Sequence, residues 1–129
     1  MTGPGPTPAQ LFEGHPLALE AHRRVGALLA GLGPVTVAAT RSQVAYRHGR
    51  GFAYLWLPGR WLRQPAAEVV LSLALDRRID SGRFKDVVHP ARTTWMHHLE
   101  LHAADEIDAE VATWLREAWE RAGCYCSPP

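Results

Sequence analysis

The sequence predicts an α+β domain: a single antiparallel sheet of five to six strands, flanked by an N-terminal helix that a short helix precedes and by a C-terminal helix. Three observations lead to this prediction. Apolar residues recur at helical spacing near both ends of the chain, whereas from residue 35 onward the apolar period changes to two. No segment of helical length separates the strands, so parallel strand–helix–strand units are not expected. With 129 residues, 47% of them apolar, the chain is long enough to bury one core.

The first element is a short helix that begins after Thr7. Thr7 is a good N-cap, and Pro8 fits the first helical position, where its missing N–H costs nothing. The pattern continues through Phe12, and Gly14 is expected to end it. Residues 1–6 are rich in glycine and proline and are expected to form a disordered tail.

A longer helix is predicted after Pro16, where apolar residues recur every three or four positions until the GLGP segment at 31–34 stops it. The C-terminal helix is expected to run from about residue 104 to 122, with acidic residues in its first turn, and to close at Gly123. The domain therefore spans residues 7–123, and residues 124–129, with Cys124 and Cys126, are expected to form a flexible tail.

Between these helices the chain contains several predicted strands. The glycines of RHGRG indicate a hairpin turn between the second and third strands. The strand segments are 35–40, 43–57 on both sides of that turn, 68–75, 86–92 and 93–103.

The last strand segment, TTWMHHLELHA, contains the residues that most resemble a chemical site. Side chains alternate along a strand, so His97 and His98 point to opposite faces and cannot bind one metal ion without a bulge. No metal site is assigned. Three interpretations stay open. His97 is buried and donates to a backbone carbonyl while the other face is solvated; or His97 or His98 is a general base that Glu100 orients; or one neighbouring pair on the strand binds a metal ion with help from His89 or another strand.

A second candidate site lies in the stretch from residue 41 to 65, where arginines and aromatic residues are interleaved. Arginine planes and aromatic faces on a sheet suit a nucleotide or single-stranded nucleic acid, although aromatic residues at strand spacing are often core. The candidate ligand-binding residues are Arg41, Tyr46, Arg47, Trp56, Arg60 and Trp61.

Composition excludes some classes of function. No apolar run approaches the ~18 residues that cross a bilayer, and the N-terminus lacks a signal-peptide pattern, so no membrane association and a cytoplasmic location are expected. The phosphate-binding and nucleophile-elbow motifs are absent, and no cofactor is predicted. The net charge is +1, but basic residues dominate the first half and acidic residues the C-terminal helix.

The segments RSQVAY, MHHLEL and DAEVATWLREAWE resemble the bacterial family called domain of unknown function 5655, over roughly residues 10–123. The resemblance implies a small α+β domain and no established activity, cofactor or catalytic residue. This sequence departs from the family at Ala103, where a helix-capping serine is common, so Asp105 is expected to take the cap. It also departs in the loop LPGRWLRQPAAE.

The favoured interpretation is a non-catalytic binding or accessory module, whose arginine and aromatic surface takes an anionic small molecule, a nucleotide or nucleic acid. An enzyme centred on the histidine strand, possibly metal-dependent, is the first alternative. The second is a protein interaction module, such as a homodimer in which the acidic helix of one copy meets the arginine face of another.

Overall fold

The computed structural model describes residues 6–60 and 67–125. Within these ranges, six strands form one antiparallel sheet in the order β1-β2-β3-β4-β6-β5. The helices are α1 (Pro8–Leu11), α2 (Pro16–Ala30) and α3 (Ala109–Tyr125), and 3₁₀ turns cover Pro58–Arg60 and Ala104–Glu106. The strands are β1 (Thr36–Ala39), β2 (Gln43–His48), β3 (Arg50–Trp56), β4 (Val69–Leu75), β5 (Asp86–Ala91) and β6 (Thr94–Leu101). The predicted fold class is confirmed.

All three helices pack on one face of the sheet, which we call the covered face. Residues paired across a ladder share a face, so one row of partners places Val44, Leu55, Leu71 and Leu99 there, all buried in the core. The opposite, open face carries the adjacent row, in which Tyr54, Ser72 and His98 are direct neighbours. Within residues 6–60 and 67–125, the α+β arrangement thus leaves one side of the sheet without a helix.

The start of the chain follows its local signals closely. The Thr7 hydroxyl oxygen accepts from the Gln10 backbone N–H, and the Gln10 side-chain oxygen accepts from the Thr7 backbone N–H. The two bonds complete a capping box. Gly14 has φ +82°, so it ends the short helix as expected. The N-terminus of α2 is capped from elsewhere: Glu68, just before β4, accepts the N–H groups of its second and third residues at 3.1 and 3.2 Å.

The C-terminal helix differs from the prediction at both ends. It begins at Ala109 rather than near residue 104, because Asp108 supplies the cap by accepting the Val111 N–H at 3.1 Å. The expected cap at Asp105 is therefore wrong. The helix also continues through Gly123 to Tyr125, two residues into the predicted tail; residues 126–129 lie outside the described residues.

Gly123 serves close packing instead of helix termination. A Cβ at this position would collide with the ring of His48, which stacks on Trp119 with ring centres 4.1 Å apart. The same ring donates from Nδ1 to the Trp119 carbonyl, 2.8 Å away. The glycine lets α3 approach the end of β2.

Several acidic residues, on α3 and just before it, form ion pairs with arginines of the same chain. Arg77 makes two bonds to the Glu117 carboxylate, at 2.8 and 2.9 Å. Arg83 contacts Asp108 and Glu110 at 3.1 and 2.7 Å. The homodimer interpretation, which needs acidic groups for a second copy, remains a prediction. Across the described ranges, no helix is both long and apolar enough to traverse a bilayer.

Candidate functional site

Strand β6 presents its two histidines to opposite faces, as alternation predicts. His97, Leu99 and Leu101 are buried on the covered face, whereas His98 and Glu100 on the open face are partly exposed. Ladder pairing gives the same result, since His97 lies opposite Leu73 and His98 opposite Ser72. The two rings therefore occupy separate environments.

His97 is wholly buried and both of its ring nitrogens bond to the backbone. Nε2 accepts the Ile79 N–H at 2.9 Å, so the proton lies on Nδ1, which donates to the Trp95 carbonyl at 3.1 Å. The ring also packs edge-on against Phe84, 4.8 Å away. Burial lowers the pKa of His97, which keeps the ring neutral at physiological pH. In this arrangement His97 holds the segment before β5 against the sheet.

His98 belongs to a chain of hydrogen bonds that crosses three strands of the open face. The indole Nε1–H of Trp56, at the end of β3, donates to Ser72 Oγ of β4 at 2.8 Å. The same oxygen lies 2.7 Å from His98 Nδ1 of β6. Trp56 and His98 also meet edge to face, with ring centres 6.1 Å apart. Burial lowers the pKa of His98, so its ring is also neutral near pH 7.

These three side chains form part of the wall of a cavity of about 470 Å³ on the open face. The lining combines two aromatic rings and a thioether with several short polar groups. Its residues are Ser42, Gln43, Tyr54, Trp56, Ser72, Met96 and His98. They come from β2, β3, β4, β6 and the turn before β2, so the sheet itself forms the floor.

The predicted ligand-binding residues fall in different places. Trp56 lines the cavity. Arg41 is exposed and directly precedes Ser42, another lining residue. Arg47 is also exposed but lies four positions along β2 from Gln43, which is ~13 Å on an extended strand.

Tyr46 lies on the covered face, wholly buried in the core. Its hydroxyl is 2.6 Å from His22 Nδ1 on α2, and burial raises the pKa of Tyr46 above its ordinary value. The structure therefore separates Tyr46 from Trp56 by the thickness of the sheet. Arg60 ends the turn that follows β3, at the same end as Trp56, and Trp61 lies outside the described residues.

Glu100 shares the open face with His98 but does not hold its ring. Its carboxylate lies 3.6 Å from Lys85 Nζ, and Ser72 contacts the imidazole in its place. Asp86 on β5 is the direct ladder partner of His98. In the part of the chain that the structure describes, no three potential metal ligands come together.

Five lining residues did not emerge from the sequence as candidates: Ser42, Gln43, Tyr54, Ser72 and Met96. Ser72 has a signal, because it is the one polar residue in the strand VVLSLAL. A buried hydroxyl in such a strand needs a hydrogen-bond partner, which indicates a polar neighbour across the ladder. The other four depend on strand register, which a single sequence does not specify.

Residues 9–122 match the family described as Domain of unknown function (DUF5655), and the chain belongs to this family. The match covers the whole sheet, all but the first residue of α1 and most of α3, so the cavity lies within the family domain. Neither the curated proteins nor the solved structures contain a significant match to this chain.

Proposed function

We propose that the open-face cavity binds a small planar heteroaromatic molecule, and that a nucleoside monophosphate is its ligand class. The observation that carries this proposal is the convergence, in one cavity, of Tyr54, Trp56 and Met96 with polar groups able to bond the edge of a base. The domain is then a binding module, in keeping with the arginine and aromatic pattern of its sequence.

The dimensions of the cavity support a ligand of this size. Small-molecule sites usually measure ~300–1,000 Å³ and combine apolar walls with a few fixed polar groups. At about 470 Å³, the cavity falls within this range. Aromatic rings and thioethers make favourable contacts with flat π systems, and these contacts tolerate different bases.

The polar lining can recognise the edge of a base. The amide of Gln43 offers both a donor and an acceptor, and Ser42 adds a hydroxyl at the start of the same strand. His98 uses Nδ1 at Ser72, and among the described residues no partner contacts its Nε2, so this nitrogen remains for a ligand. A base could therefore be held by its faces and its edge together.

The phosphate is expected to lie near Arg41. This guanidinium is exposed beside Ser42, and no acidic residue occurs between Glu20 and Glu68 to compete for it. The backbone brings Arg60 to the same end of the sheet, because the turn that contains it begins at Pro58, two residues after Trp56. Arg47 lies farther along β2 and is a suitable control for charge.

Calorimetric titration with AMP, GMP, CMP and UMP at low ionic strength tests the proposal. At least one should bind, and Met96→Glu, which places a negative charge in the cavity beside an anionic ligand, should weaken binding about tenfold, or ~1.4 kcal/mol. Val88→Glu is the matched control, because Val88 lies beside Met96 on the same face but outside the lining. Equal effects of the two variants, or no binding by any of the four, would contradict the proposal.

The phosphate position has its own test. Arg41→Gln should weaken binding about fivefold at low salt, the upper end of what an exposed ion pair provides, and the difference should shrink as salt is added. Arg47→Gln should bind as the parent does. A larger loss of affinity with Arg47→Gln than with Arg41→Gln would indicate that the phosphate lies near Arg47 and away from the cavity.

A general-base role for His98 is the second candidate function. The observation that favours it is the position of a neutral imidazole on the cavity wall, oriented by the 2.7 Å contact between Ser72 and Nδ1. As a base, Nε2 must carry no proton, so Nδ1 would have to donate to Ser72 Oγ. An Nε2–H tautomer excludes this role and leaves His98 a donor for binding.

A further inference from the structure

We infer that Trp56 and Ser72 fix His98 as its Nε2–H tautomer, so that the cavity presents a hydrogen-bond donor and selects ligands that place an acceptor against it. The preference for such ligands rests on the proposed function, whereas the tautomer of His98 is a property of the protein alone. His98 is then the residue that determines which base edge the site accepts.

Counting protons along the chain of hydrogen bonds leads to this tautomer. The indole N–H of Trp56 can only donate, so Ser72 Oγ must accept it. Ser72 is 3% exposed, and a buried hydroxyl proton needs an acceptor of its own. His98 Nδ1, at 2.7 Å, is that acceptor only when it carries no proton. A neutral ring with a bare Nδ1 carries its proton on Nε2.

The opposite tautomer leaves the chain unsatisfied. If Nδ1 carried the proton, Ser72 Oγ would accept from both Trp56 and His98, and neither of these residues could accept the hydroxyl proton of Ser72. An unsatisfied buried donor costs ~1–3 kcal/mol, which outweighs the small intrinsic difference between imidazole tautomers. The arrangement therefore assigns the donor to the side of the ring that faces away from Ser72.

The charged groups near His98 do not alter this assignment. Asp86 lies across the ladder on β5, and Lys85 donates its backbone N–H to the His98 carbonyl at 2.9 Å. The Lys85 ammonium is 3.6 Å from Glu100 on β6, and Ser72 and Trp56 face the ring from the other side. Asp86 and Lys85 act on the ring charge in opposite directions, and burial has the largest effect, favouring the neutral ring.

The ligand class follows from the donor. The Gln43 amide can turn to offer either an oxygen or an N–H, so it does not discriminate between bases. A fixed N–H on His98 does discriminate, because an oxo group accepts a hydrogen bond where an exocyclic amino group can only donate. With the C4 or C6 substituent of the base against Nε2, the site should prefer UMP to CMP and IMP to AMP. In each pair an oxo group and a ring N–H replace an amino group and a bare ring nitrogen, so a donor at this position meets an acceptor only in the first member.

The tautomer can be measured without any ligand. In a long-range ¹H–¹⁵N spectrum of the histidine rings at pH 7.5, His98 should show a pyrrole-like Nε2 and a pyridine-like Nδ1, the reverse of His97. Ser72→Ala should weaken this preference and let part of the Nδ1–H form appear, as in a free imidazole, in which Nε2–H predominates without excluding the other tautomer. Ser42→Ala is the matched control, since Ser42 lines the same cavity but makes no bond to His98, and it should leave the spectrum of the ring unchanged. A protonated Nδ1 in the parent protein overturns the inference.

Binding then tests the selection. The parent should bind UMP and IMP about tenfold more tightly than CMP and AMP, the effect of one matched hydrogen bond. His98→Gln and His98→Asn should both lose this preference, because an amide can turn to offer either an oxygen or an N–H. Equal affinity within both pairs overturns the selection. If no nucleotide binds but the spectrum still shows a proton on Nε2, the proposed function is wrong and the assignment of the tautomer is still correct.

Discussion

Replacement of His97 by alanine should destabilise the domain much more than replacement of its neighbour His98. The parent ring is wholly buried, bonds the Ile79 N–H and the Trp95 carbonyl, and packs against Phe84. Alanine leaves the Ile79 donor unsatisfied, at a cost of ~1–3 kcal/mol. Loss of the ring contact adds ~0.5–1.5 kcal/mol, and the cavity adds further to the cost.

Together these losses amount to ~3–4 kcal/mol, a large part of the ~5–15 kcal/mol that stabilises a typical domain. His98→Ala removes the acceptor of the Ser72 hydroxyl proton, but the ring is partly exposed and water can take its place, so the cost should stay near ~1 kcal/mol, the low end for an unsatisfied donor. Ser72 keeps its bond to Trp56. Urea unfolding followed by tryptophan fluorescence gives both values from the midpoint and slope. The matched control is His97→Asn, which is expected to keep a donor for the Trp95 carbonyl and so recover part of the loss.

A second readout separates packing from function. His97→Ala should leave nucleotide affinity unchanged at temperatures where the variant is folded, because the ring lies on the covered face. His98→Ala should weaken affinity while it leaves stability nearly intact. The reasoning is refuted if the two variants cost the same free energy of unfolding, or if His97→Ala alone removes binding.

Two further predictions concern stability. Burial holds the pKa of three histidines below their ordinary value of 6.5: His22, His97 and His98. As pH falls through 6.5, the unfolded chain therefore binds more protons than the folded protein does. The melting temperature should be level above about pH 7 and fall between pH 6.5 and 5. A melting temperature that rises on acidification would contradict this. Gly123→Ala should destabilise the domain by ~1–3 kcal/mol, since the added Cβ meets the imidazole of His48. Gly26→Ala has open space around it and should stabilise the domain by up to ~1 kcal/mol. Equal chemical-denaturation midpoints for the two variants would contradict the packing role of Gly123.

The sequence was informative wherever a local rule decides the structure. Alternation along one strand separated His97 from His98, because the side-chain period of a strand is two and no bulge interrupts the pairing of β4 with β6. Thr7 and Gly14 acted through capping and backbone conformation, which depend on a few neighbouring residues. The sheet and its two flanking helices followed from the same kind of periodicity.

The rest of the site depends on contacts between distant segments. Tyr46 and Trp56 occur in one arginine-rich stretch, yet the register of the hairpin places them on opposite faces. Ser72 meets Trp56 and His98 only because β4 lies between β3 and β6 in the sheet. Gly123 follows the usual signal for a helix end, but close contact with a ring from β2 explains it instead.

The central claim is that the open face of the sheet, and not the covered face, binds a planar ligand through His98. Titration of isotopically labelled protein with UMP, followed by ¹H–¹⁵N chemical shifts of backbone and imidazole groups, tests it most directly. The largest changes should map to Gln43, Tyr54 and His98, with the rings of His22 and His97 unaffected. Changes centred on His97 or Tyr46, or confined to the Arg47 end of the hairpin, would contradict it.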